Sequence, residues 1–203
     1  VGVDVAAPGQ LRDRNRSTNA ARSVAETVSA FRDTLSGAET SAILRNATEA
    51  EKEDAFRRHW SCKEALTKAM GVGLGMELKR ASFTFAKRSS ETYDAAVEVD
   101  GAPKPKWRFR TERVDDVDAC HDDADARHWI TTARGPTEDV TDARGAFTRT
   151  WRAPNVGRED DAAWRAVVDA PAPPFSVLAV GDLVPSEALD AFERAGGEVF
   201  GRR

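Results

Sequence analysis

Residues 49–70 form the longest segment of the sequence that has a clear helical start and stop. Thr48 is followed three residues later by Glu51, the capping-box pattern of a helix N-terminus. Gly71 comes directly after the segment, and a glycine there is the usual left-handed cap of a helix C-terminus. A helix of this length extends roughly 33 Å at 1.5 Å per residue. It therefore needs a sheet or several helices on which to bury its apolar side.

The predicted long helix has two different faces. An apolar stripe suited to a core consists of Ala55, Cys62, Leu66 and Ala69. Trp60, Glu64 and Lys68 are spaced i, i+4, i+8, so they share a second face. Taken alone, this face is best interpreted as a solvent-exposed Glu–Lys pair, which contributes a few tenths of a kcal/mol. The glycines after the helix do not indicate a phosphate-binding loop, because such a loop precedes a helix.

The remaining pattern predicts an α+β fold, with the long helix packed on a mostly antiparallel sheet. Strands are predicted at Val1–Val5, Ala81–Ala86, Tyr93–Val99, Lys106–Arg113, His128–Ala133, Ala146–Trp151 and Phe175–Val180. The dipeptide Asp100-Gly101 predicts a hairpin turn between the third and fourth of these. Helices are also predicted from Ala20 to Leu35, over 37–45, over Glu159–Val168 and after Pro185. The segments Gln10–Asn19 and Asp115–Asp125 are predicted loops.

Composition excludes several functional classes. The chain has 203 residues, 32% of them charged, with a net charge of -4, so its surface as a whole is not a nucleic-acid footprint. No stretch approaches the roughly 20 apolar residues of a membrane-spanning helix. Two cysteines, Cys62 and Cys120, indicate ordinary thiols of a reducing compartment, and we expect a cytoplasmic protein. Because the sequence opens inside a strand at Val1, we expect that a first half precedes it.

Asp4 changes the interpretation of the helix. It is a lone acid in the strand Val-Gly-Val-Asp-Val, and a carboxylate among residues that favour burial is costly unless it is paired or binds a metal. It could instead cap a nearby backbone turn. Together, Asp4 and Glu64 would supply two hard oxygen ligands, which suffice for magnesium with water and substrate phosphates completing the shell.

These segments together resemble the 4′-phosphopantetheinyl transferase superfamily, in its larger two-lobed type. The resemblance depends on Val1–Val5, on Phe31, Leu35, Ser36 and Glu39, on Trp60–Ala65 with Lys68, on Gly71–Leu74, on Lys106–Phe109 and on His128–Ala133. Gly73–Leu78 and Phe175–Leu183 resemble in particular the animal type, which is named for aminoadipate-semialdehyde dehydrogenase.

The resemblance implies one lobe of a transferase in which two similar lobes are related by a pseudo-twofold axis, with the active site between them. This chain resembles the second lobe, over residues 1–135, and residues 136–203 are expected to pack on it as a C-terminal extension. The implied reaction moves the phosphopantetheine arm of coenzyme A to a serine of an apo acyl or peptidyl carrier protein, and it depends on Mg²⁺. The partners are thus coenzyme A and a carrier protein, without nucleic acid or membrane, and the protein is expected to be a monomer when the first lobe is present.

The resemblance also implies roles for four residues. Asp4 and Glu64 would bind Mg²⁺ on the pyrophosphate, and Glu64 would also be the base that takes the serine proton. Lys68 would neutralise the transferring phosphate as a catalytic and coenzyme-binding residue, with Lys63 beside the pyrophosphate. Bacterial members often have a further acid at the position of Ala6, so here water is expected to complete the metal shell.

Other residues of the long helix and its surroundings have simpler explanations. Glu39 falls on a family position, but its capping box with Ser36 accounts for it. Trp60 is expected to pack beneath the site. Arg57 and Arg58 could meet the acidic helix of a carrier protein, although a solvated helix face is the favoured interpretation.

Two alternatives to a transferase remain open. One is a lobe that binds carrier proteins without catalysis or is inactive without its first lobe. The other is a different Mg²⁺-dependent phosphoryl-transfer enzyme on a similar fold. The segment from Cys120 to His128 suggests a metal loop, but its spacing fits neither a zinc site nor a calcium loop. His59 has no hydroxyl and acid placed to form a triad, so we expect it to be structural.

Overall fold

A computed structural model of the chain describes residues 1–8, 23–114, 127–141, 161–170 and 183–196. The chain divides into two compact units, Val1–Ala170 and Pro171–Arg203. In the described part of the second unit, a 3₁₀ turn at Ser186–Ala188 precedes a short helix, Leu189–Arg194. The helix predicted after Pro185 is therefore confirmed. All further description concerns the first unit.

The described part of the first unit contains six strands and four helices. The strands are β1 (Gly2–Ala6), β2 (Ala81–Lys87), β3 (Thr92–Val99), β4 (Ala102–Pro103), β5 (Arg108–Val114) and β6 (His128–Arg134). The helices are α1 (Val24–Ala30), α2 (Gly37–Leu44), α3 (Glu49–Met70) and α4 (Asp161–Val168), with 3₁₀ turns at Gly73–Gly75, Leu78–Arg80 and Thr137–Asp139.

The strands form one antiparallel sheet in the order β1-β6-β5-β3-β2, with the short β4 paired to β3. In this register Asp4 of β1 lies opposite Thr131 of β6, and Thr131 lies opposite Thr111 of β5. The two threonine hydroxyls are 3.1 Å apart and fully buried, so each satisfies the other in the core. The predicted α+β class with a mostly antiparallel sheet is confirmed.

Helix α3 covers one face of this sheet. Side chains alternate along each strand, so every second residue points at the helix. The main core lies between them and contains Cys62, Ala65, Leu66, Ala69, Ala81, Phe83, Ala95, Val97, Trp107, Phe109 and Ala133. The apolar stripe predicted for the helix is buried throughout, although Ala55 belongs to a second cluster with α1 and α2.

The bounds of α3 agree with the prediction because its end signals are local. The Thr48 hydroxyl accepts a hydrogen bond from the Glu51 backbone N–H, and the Glu51 carboxylate accepts one from the Thr48 backbone N–H. Gly71 ends the helix with φ at 71°, in the left-handed region that glycine tolerates without strain. Helix α2 begins in the same way at Ser36, with Glu39 as the reciprocal residue, which confirms its predicted capping box.

Helix α1 is shorter than predicted. It begins after a capping box formed by Ser23 and Glu26 and ends at Ala30, whereas the prediction extended to Leu35. Beyond Ala30 the chain turns, and the backbone N–H groups of Thr34 and Leu35 both donate to the carbonyl of Phe31. Leu35 is nevertheless only 1% exposed. Because buried apolar residues continue past Ala30 into the turn, their spacing predicted a helix end that is five residues too late.

The hairpin turn at Asp100-Gly101 is present but leads to a strand that the sequence did not predict. Both residues have positive φ, 53° and 75°, as a two-residue hairpin turn requires. The turn returns the chain to β3 through the two-residue β4, before β5 begins at Arg108. Proline at position 103 has no N–H to donate, which keeps β4 short.

Several predicted segments fall outside the described residues. These are the loops Gln10–Asn19 and Asp115–Asp125 and the strands Ala146–Trp151 and Phe175–Val180. Parts of the predicted extension lie in the first unit: the Thr141 N–H donates to the carbonyl of Met70 at 2.7 Å, and Arg134 donates to that of Val168 at 3.1 Å. The domain boundary after residue 135 stays a prediction.

Strand β1 lies unusually close to α3, and Gly2 makes this approach possible. A Cβ atom at Gly2 would stand 2.5 Å from the backbone nitrogen of Ala69 and 2.9 Å from its Cβ, and would overlap the carbonyl oxygen of Ala65. Contacts under 3.0 Å are essentially never made by real Cβ atoms. The position therefore excludes every side chain larger than hydrogen, provided the strand keeps its place.

We predict that Gly2→Ala separates β1 from α3 and lowers the free energy of unfolding by about 1–3 kcal/mol, the usual cost of overpacking. The measurement is urea denaturation followed by circular dichroism. Gly37→Ala is the matched control, because a Cβ at Gly37 would meet nothing within 4 Å. That variant should be neutral or more stable by up to about 1 kcal/mol. Equal effects at the two glycines would contradict the account of β1.

Candidate active site

Asp4 sits on the side of β1 that faces α3. It is 8% exposed, while its neighbours Val3 and Val5 point away from the helix and are 45% and 49% exposed. The carboxylate accepts a hydrogen bond of 2.7 Å from the ammonium of Lys68. Asp4 is therefore paired with a cation across the β1–α3 contact, and within the described ranges its carboxylate caps no turn.

Glu64 lies one helical turn before Lys68 on the same face of α3, as the spacing predicted. Its side chain is partly exposed, and its carboxylate makes no hydrogen bond or ion pair with any other residue that the structure describes. Lys68 is 48% exposed, so its ammonium is reachable while bonded to Asp4. The structure thus places Glu64, whose carboxylate has no described partner, one helical turn from the Asp4–Lys68 pair.

Glu64 and Lys68 line one open cavity of about 580 Å³. Its walls come from α3, from the segment that follows α3 and from the turn after α1, and its lining residues are Asp33, Thr34, Glu64, Thr67, Lys68, Gly71, Gly73, Met76, Glu77 and Leu78. Three acids and one base give this lining a net negative charge. This net charge favours cations over phosphates, so a phosphate in the cavity would have to be met by Lys68 or by a bound cation. Met76 and Leu78 supply an apolar wall.

The donor set suits magnesium better than a transition metal. Two carboxylates could contribute, Glu64 and the Lys68-paired Asp4, and magnesium is usually held by one or two carboxylates with water and substrate phosphates. Within the described ranges, no group of three or more His, Cys, Asp or Glu side chains is arranged to hold a metal ion. A zinc site would need such a set.

Lys63, the residue before Glu64, has a different environment. It is fully buried, pairs with Glu39 at 2.9 Å and donates to the carbonyl oxygens of Leu78 and Ala81. Burial lowers the pKa of Lys63 from its usual value, and the Glu39 carboxylate opposes that shift. The predicted contact of Lys63 with the pyrophosphate stays a prediction, and it would require the ammonium to leave these partners.

Trp60 packs beneath the site, as expected. Its ring meets that of Phe31 edge to face at 4.9 Å between centroids and stacks near Phe56 at 6.4 Å. These rings belong to the second cluster, which joins α1 and α2 to α3. Trp60 therefore supports the helix on which Glu64 and Lys68 are carried.

Both predicted roles of Arg57 and Arg58 are wrong, because neither side chain faces solvent. Their side chains are 6% and 12% exposed, and both pair with Asp54. The Arg58 guanidinium also lies over the Tyr93 ring at 4.3 Å and the Trp129 ring at 5.2 Å. The i, i+4 spacing of Asp54 and Arg58 was visible in the sequence, but burial depends on aromatic residues that come from distant strands.

Asp54, whose side chain is 14% exposed, is the centre of this largely buried network. It accepts hydrogen bonds from Arg113 at 2.6 Å and from the Trp129 indole at 2.7 Å, in addition to the Arg58 pair. Burial alone would raise the pKa of Asp54, but Arg58 together with the bonds from Arg113 and Trp129 holds that pKa below its usual value. One carboxylate thus ties α3 to β5 and β6.

We predict that Asp54→Asn lowers the free energy of unfolding by about 3–5 kcal/mol, because it leaves buried arginines without their counter-ion. Since the pKa of Asp54 is lowered by folding, its contribution is present above the unfolded value of about 3.9 and is lost as the pH falls through the folded value. Urea denaturation at pH 7 and at pH 3 measures both effects.

Asp100→Asn is the matched control, since the Arg80–Asp100 pair is about half exposed on both sides. It should cost far less than Asp54→Asn, because exposed pairs contribute little. A cost at Asp54 no larger than at Asp100, or one unchanged at pH 3, would contradict the central role of Asp54.

His59 and Cys62 belong to the core. His59 is 4% exposed and its Nδ1 donates to the carbonyl of Ala55 at 2.8 Å, which fixes the tautomer, and burial lowers the pKa of the imidazole. Burial raises the pKa of the Cys62 thiol to about 12, so it stays protonated and unreactive. The structural role expected for His59 is supported, and Cys120 lies outside the described residues.

Comparison with known proteins agrees with the motifs. A family model described as the 4′-phosphopantetheinyl transferase superfamily matches residues 1–133. A phosphopantetheinyl transferase of a Thraustochytrium species is 41% identical over 71 residues, 35% of this chain and 24% of that protein. The L-aminoadipate-semialdehyde dehydrogenase-phosphopantetheinyl transferase of Rattus norvegicus is 36% identical over 66 residues, 30% of this chain and 21% of that protein.

A fungal relative extends the comparison. The 4′-phosphopantetheinyl transferase pptA of Paxillus involutus is 32% identical over 82 residues, 40% of this chain and 28% of that protein. The matched segments thus span about a quarter of the length of these curated relatives.

Among the helices that the structure describes, none has the length and apolar character to cross a membrane.

Proposed function

The chain belongs to the 4′-phosphopantetheinyl transferase superfamily, as its motifs predicted, and from this premise we propose that it transfers the phosphopantetheine arm of coenzyme A to a serine of an apo acyl or peptidyl carrier protein. The observation that carries the proposal is the contact of Asp4 with Lys68, one helical turn from the open carboxylate of Glu64. A cytoplasmic location and a monomeric state stay predictions.

The proposed step is a phosphoryl transfer. The serine oxygen attacks the phosphorus that carries the pantetheine, a new P–O bond forms there, and the bond to the bridging pyrophosphate oxygen breaks. The leaving group is adenosine 3′,5′-bisphosphate, and the serine proton must be removed. Catalysis of this kind consists mostly of positioning and neutralisation of charge.

Glu64 is the group we propose for the serine proton. Its carboxylate opens onto the cavity and has no partner among the described residues, so it is available as a base. The helix fixes its direction, because α3 is packed on the sheet along the opposite side. The serine would therefore approach from the cavity side of α3.

Lys68 and Asp4 are proposed to hold the pyrophosphate end of coenzyme A. The half-exposed ammonium of Lys68 can contact a phosphate oxygen, which neutralises charge on the transferring group. Asp4 and Glu64 are the residues that would hold Mg²⁺. When bound, that ion would supply further neutralisation of the pyrophosphate charge.

We predict that Glu64→Gln lowers the rate of transfer by about 10²–10⁴-fold, the usual contribution of a general base, while the fold stays intact. The measurement is intact-mass spectrometry of an apo acyl carrier protein incubated with coenzyme A, Mg²⁺ and the natural protein that carries this sequence at its full length. Transfer adds the mass of one phosphopantetheine.

Glu51→Gln is the matched control, because it replaces another acid of α3 and glutamine preserves a capping box. It should transfer at the wild-type rate. Full activity of Glu64→Gln would refute the role of Glu64. If the wild-type protein binds the carrier protein but never changes its mass, a carrier-binding lobe without catalysis is the correct function.

We predict that Asp4→Asn weakens Mg²⁺ binding at least 10-fold in the presence of coenzyme A, because one of two anionic ligands is lost. Isothermal titration calorimetry measures it directly and independently of turnover. Asp100→Asn, which changes an acid on the turn after β3, should bind as the wild type does. Unchanged affinity in Asp4→Asn would show that Asp4 serves only to pair with Lys68.

A further inference from the structure

Lys63 is a lysine that α3 buries completely, although Lys68 on the same helix is half exposed. Its ammonium has three oxygen partners: the Glu39 carboxylate at 2.9 Å, the Leu78 carbonyl at 2.9 Å and the Ala81 carbonyl. It also lies 5.8 Å from the centre of the Phe83 ring. An ammonium has three protons to donate, so every one has an acceptor here.

Both carboxylate oxygens of Glu39 also have hydrogen-bond partners. One carboxylate oxygen accepts from the backbone N–H of Ser36 at 2.8 Å and pairs with Lys63, and the other accepts from the backbone N–H of Phe83 at 3.0 Å. Glu39 is 1% exposed. The pair thus joins the start of α2, the middle of α3 and the start of β2 at one buried point.

Of the two carbonyls that Lys63 binds, that of Leu78 belongs to a residue of the cavity wall, and that of Ala81 lies three residues further along the chain. Residues 71–78 run from the end of α3 along the cavity, and Leu78 is the last lining residue before Ala81 begins β2. The hydrogen bonds of this segment are local: the Gly75 N–H donates to Val72, the Arg80 N–H to Glu77 and the Ala81 N–H to Leu78. Local bonds hold single turns, so contacts from outside are needed to position the wall, and Lys63 supplies two of them from the residue next to Glu64.

We infer that Lys63 is a positioning residue, which holds the wall of residues 71–78 at a fixed distance from Glu64 through the Leu78 and Ala81 carbonyls and does not touch coenzyme A. The inference rests on the proposed function in naming coenzyme A as the ligand of that cavity. It differs from the role that family resemblance implied for Lys63.

The charges of the pair support this assignment. If the Lys63 ammonium turned to a phosphate, Glu39 would stay buried without its counter-ion. The Leu78 and Ala81 carbonyls would also lose the ammonium as a donor, although the Leu78 carbonyl would keep the Ala81 N–H. Breaking a buried pair in this way is strongly unfavourable. Lys68, in contrast, is half exposed while it is paired with Asp4, so a phosphate can contact its ammonium without breaking that pair.

The first test is amide hydrogen exchange of the natural full-length protein without coenzyme A. Lys63→Met and Glu39→Gln should each speed exchange in residues 71–81 by at least 10-fold, while α3 and β6 keep their protection. Lys52→Met is the matched control, because Lys52 lies on the same helix and, among the described residues, pairs with the exposed Glu49 alone. Unchanged exchange in residues 71–81 in both variants would overturn the tether.

The second test is a double-mutant cycle on coenzyme A binding, measured by calorimetry. A positioning pair predicts that Glu39→Gln and Lys63→Met each raise the Kd at least 10-fold and that the double variant is no worse than either, since the two share one function. A phosphate ligand predicts otherwise: Glu39→Gln would leave the Kd near that of the wild type, and only Lys63→Met would raise it.

The double variant also protects the test against misfolding, because it removes both buried charges at once and leaves none unpaired. A double variant that is folded but binds coenzyme A as the wild type does would also overturn the positioning role. If the wild-type protein binds no coenzyme A at all, the proposed function fails, and the exchange measurement still decides whether Lys63 tethers the wall.

Discussion

The candidate site depends on how closely strand β1 lies against helix α3. Gly2 meets Ala65 and Ala69 with no room for a side chain, and two residues later on the same side of the strand Asp4 reaches Lys68 at 2.7 Å. Because strand residues alternate between faces, the position of Gly2 fixes the direction of Asp4. The close approach of β1 to α3 thus places the Asp4 carboxylate next to the helix face that carries Glu64.

Adjacent charged residues of α3 have different roles because they point in different directions around the helix axis. Successive residues on a helix turn by about 100°, so Lys63 points at Glu39 and the start of β2 while Glu64 opens onto the cavity. Near the other end of the helix, Asp54 holds buried arginines against β5 and β6. Lys63 and Asp54 thus serve packing contacts inside the lobe, whereas Glu64 and Lys68 have solvent access and can meet a ligand.

The sequence allowed much of the fold to be predicted, because the signals were local. The capping box and the terminal glycine predicted both ends of α3. The strand pattern predicted the ends of the described strands to within one or two residues, apart from β4. The face shared by Glu64 and Lys68 followed from helical spacing. What could not be predicted depends on distant contacts: the burial of Arg58 among rings from β3 and β6, and the end of α1 in a turn whose apolar side chains still reach the core. Lys63 belongs to the same class, since no local pattern shows which of two adjacent charged residues meets Glu39.

We propose that Asp4, Glu64 and Lys68 form one site for the metal-bound pyrophosphate of coenzyme A. The most direct measurement is an anomalous difference map from crystals of the natural full-length protein grown with coenzyme A and Mn²⁺ in place of Mg²⁺. The account predicts a single strong peak in contact with the carboxylates of Asp4 and Glu64, and the Lys68 ammonium on a phosphate oxygen. A peak elsewhere, with Asp4 still bonded to Lys68, would contradict it.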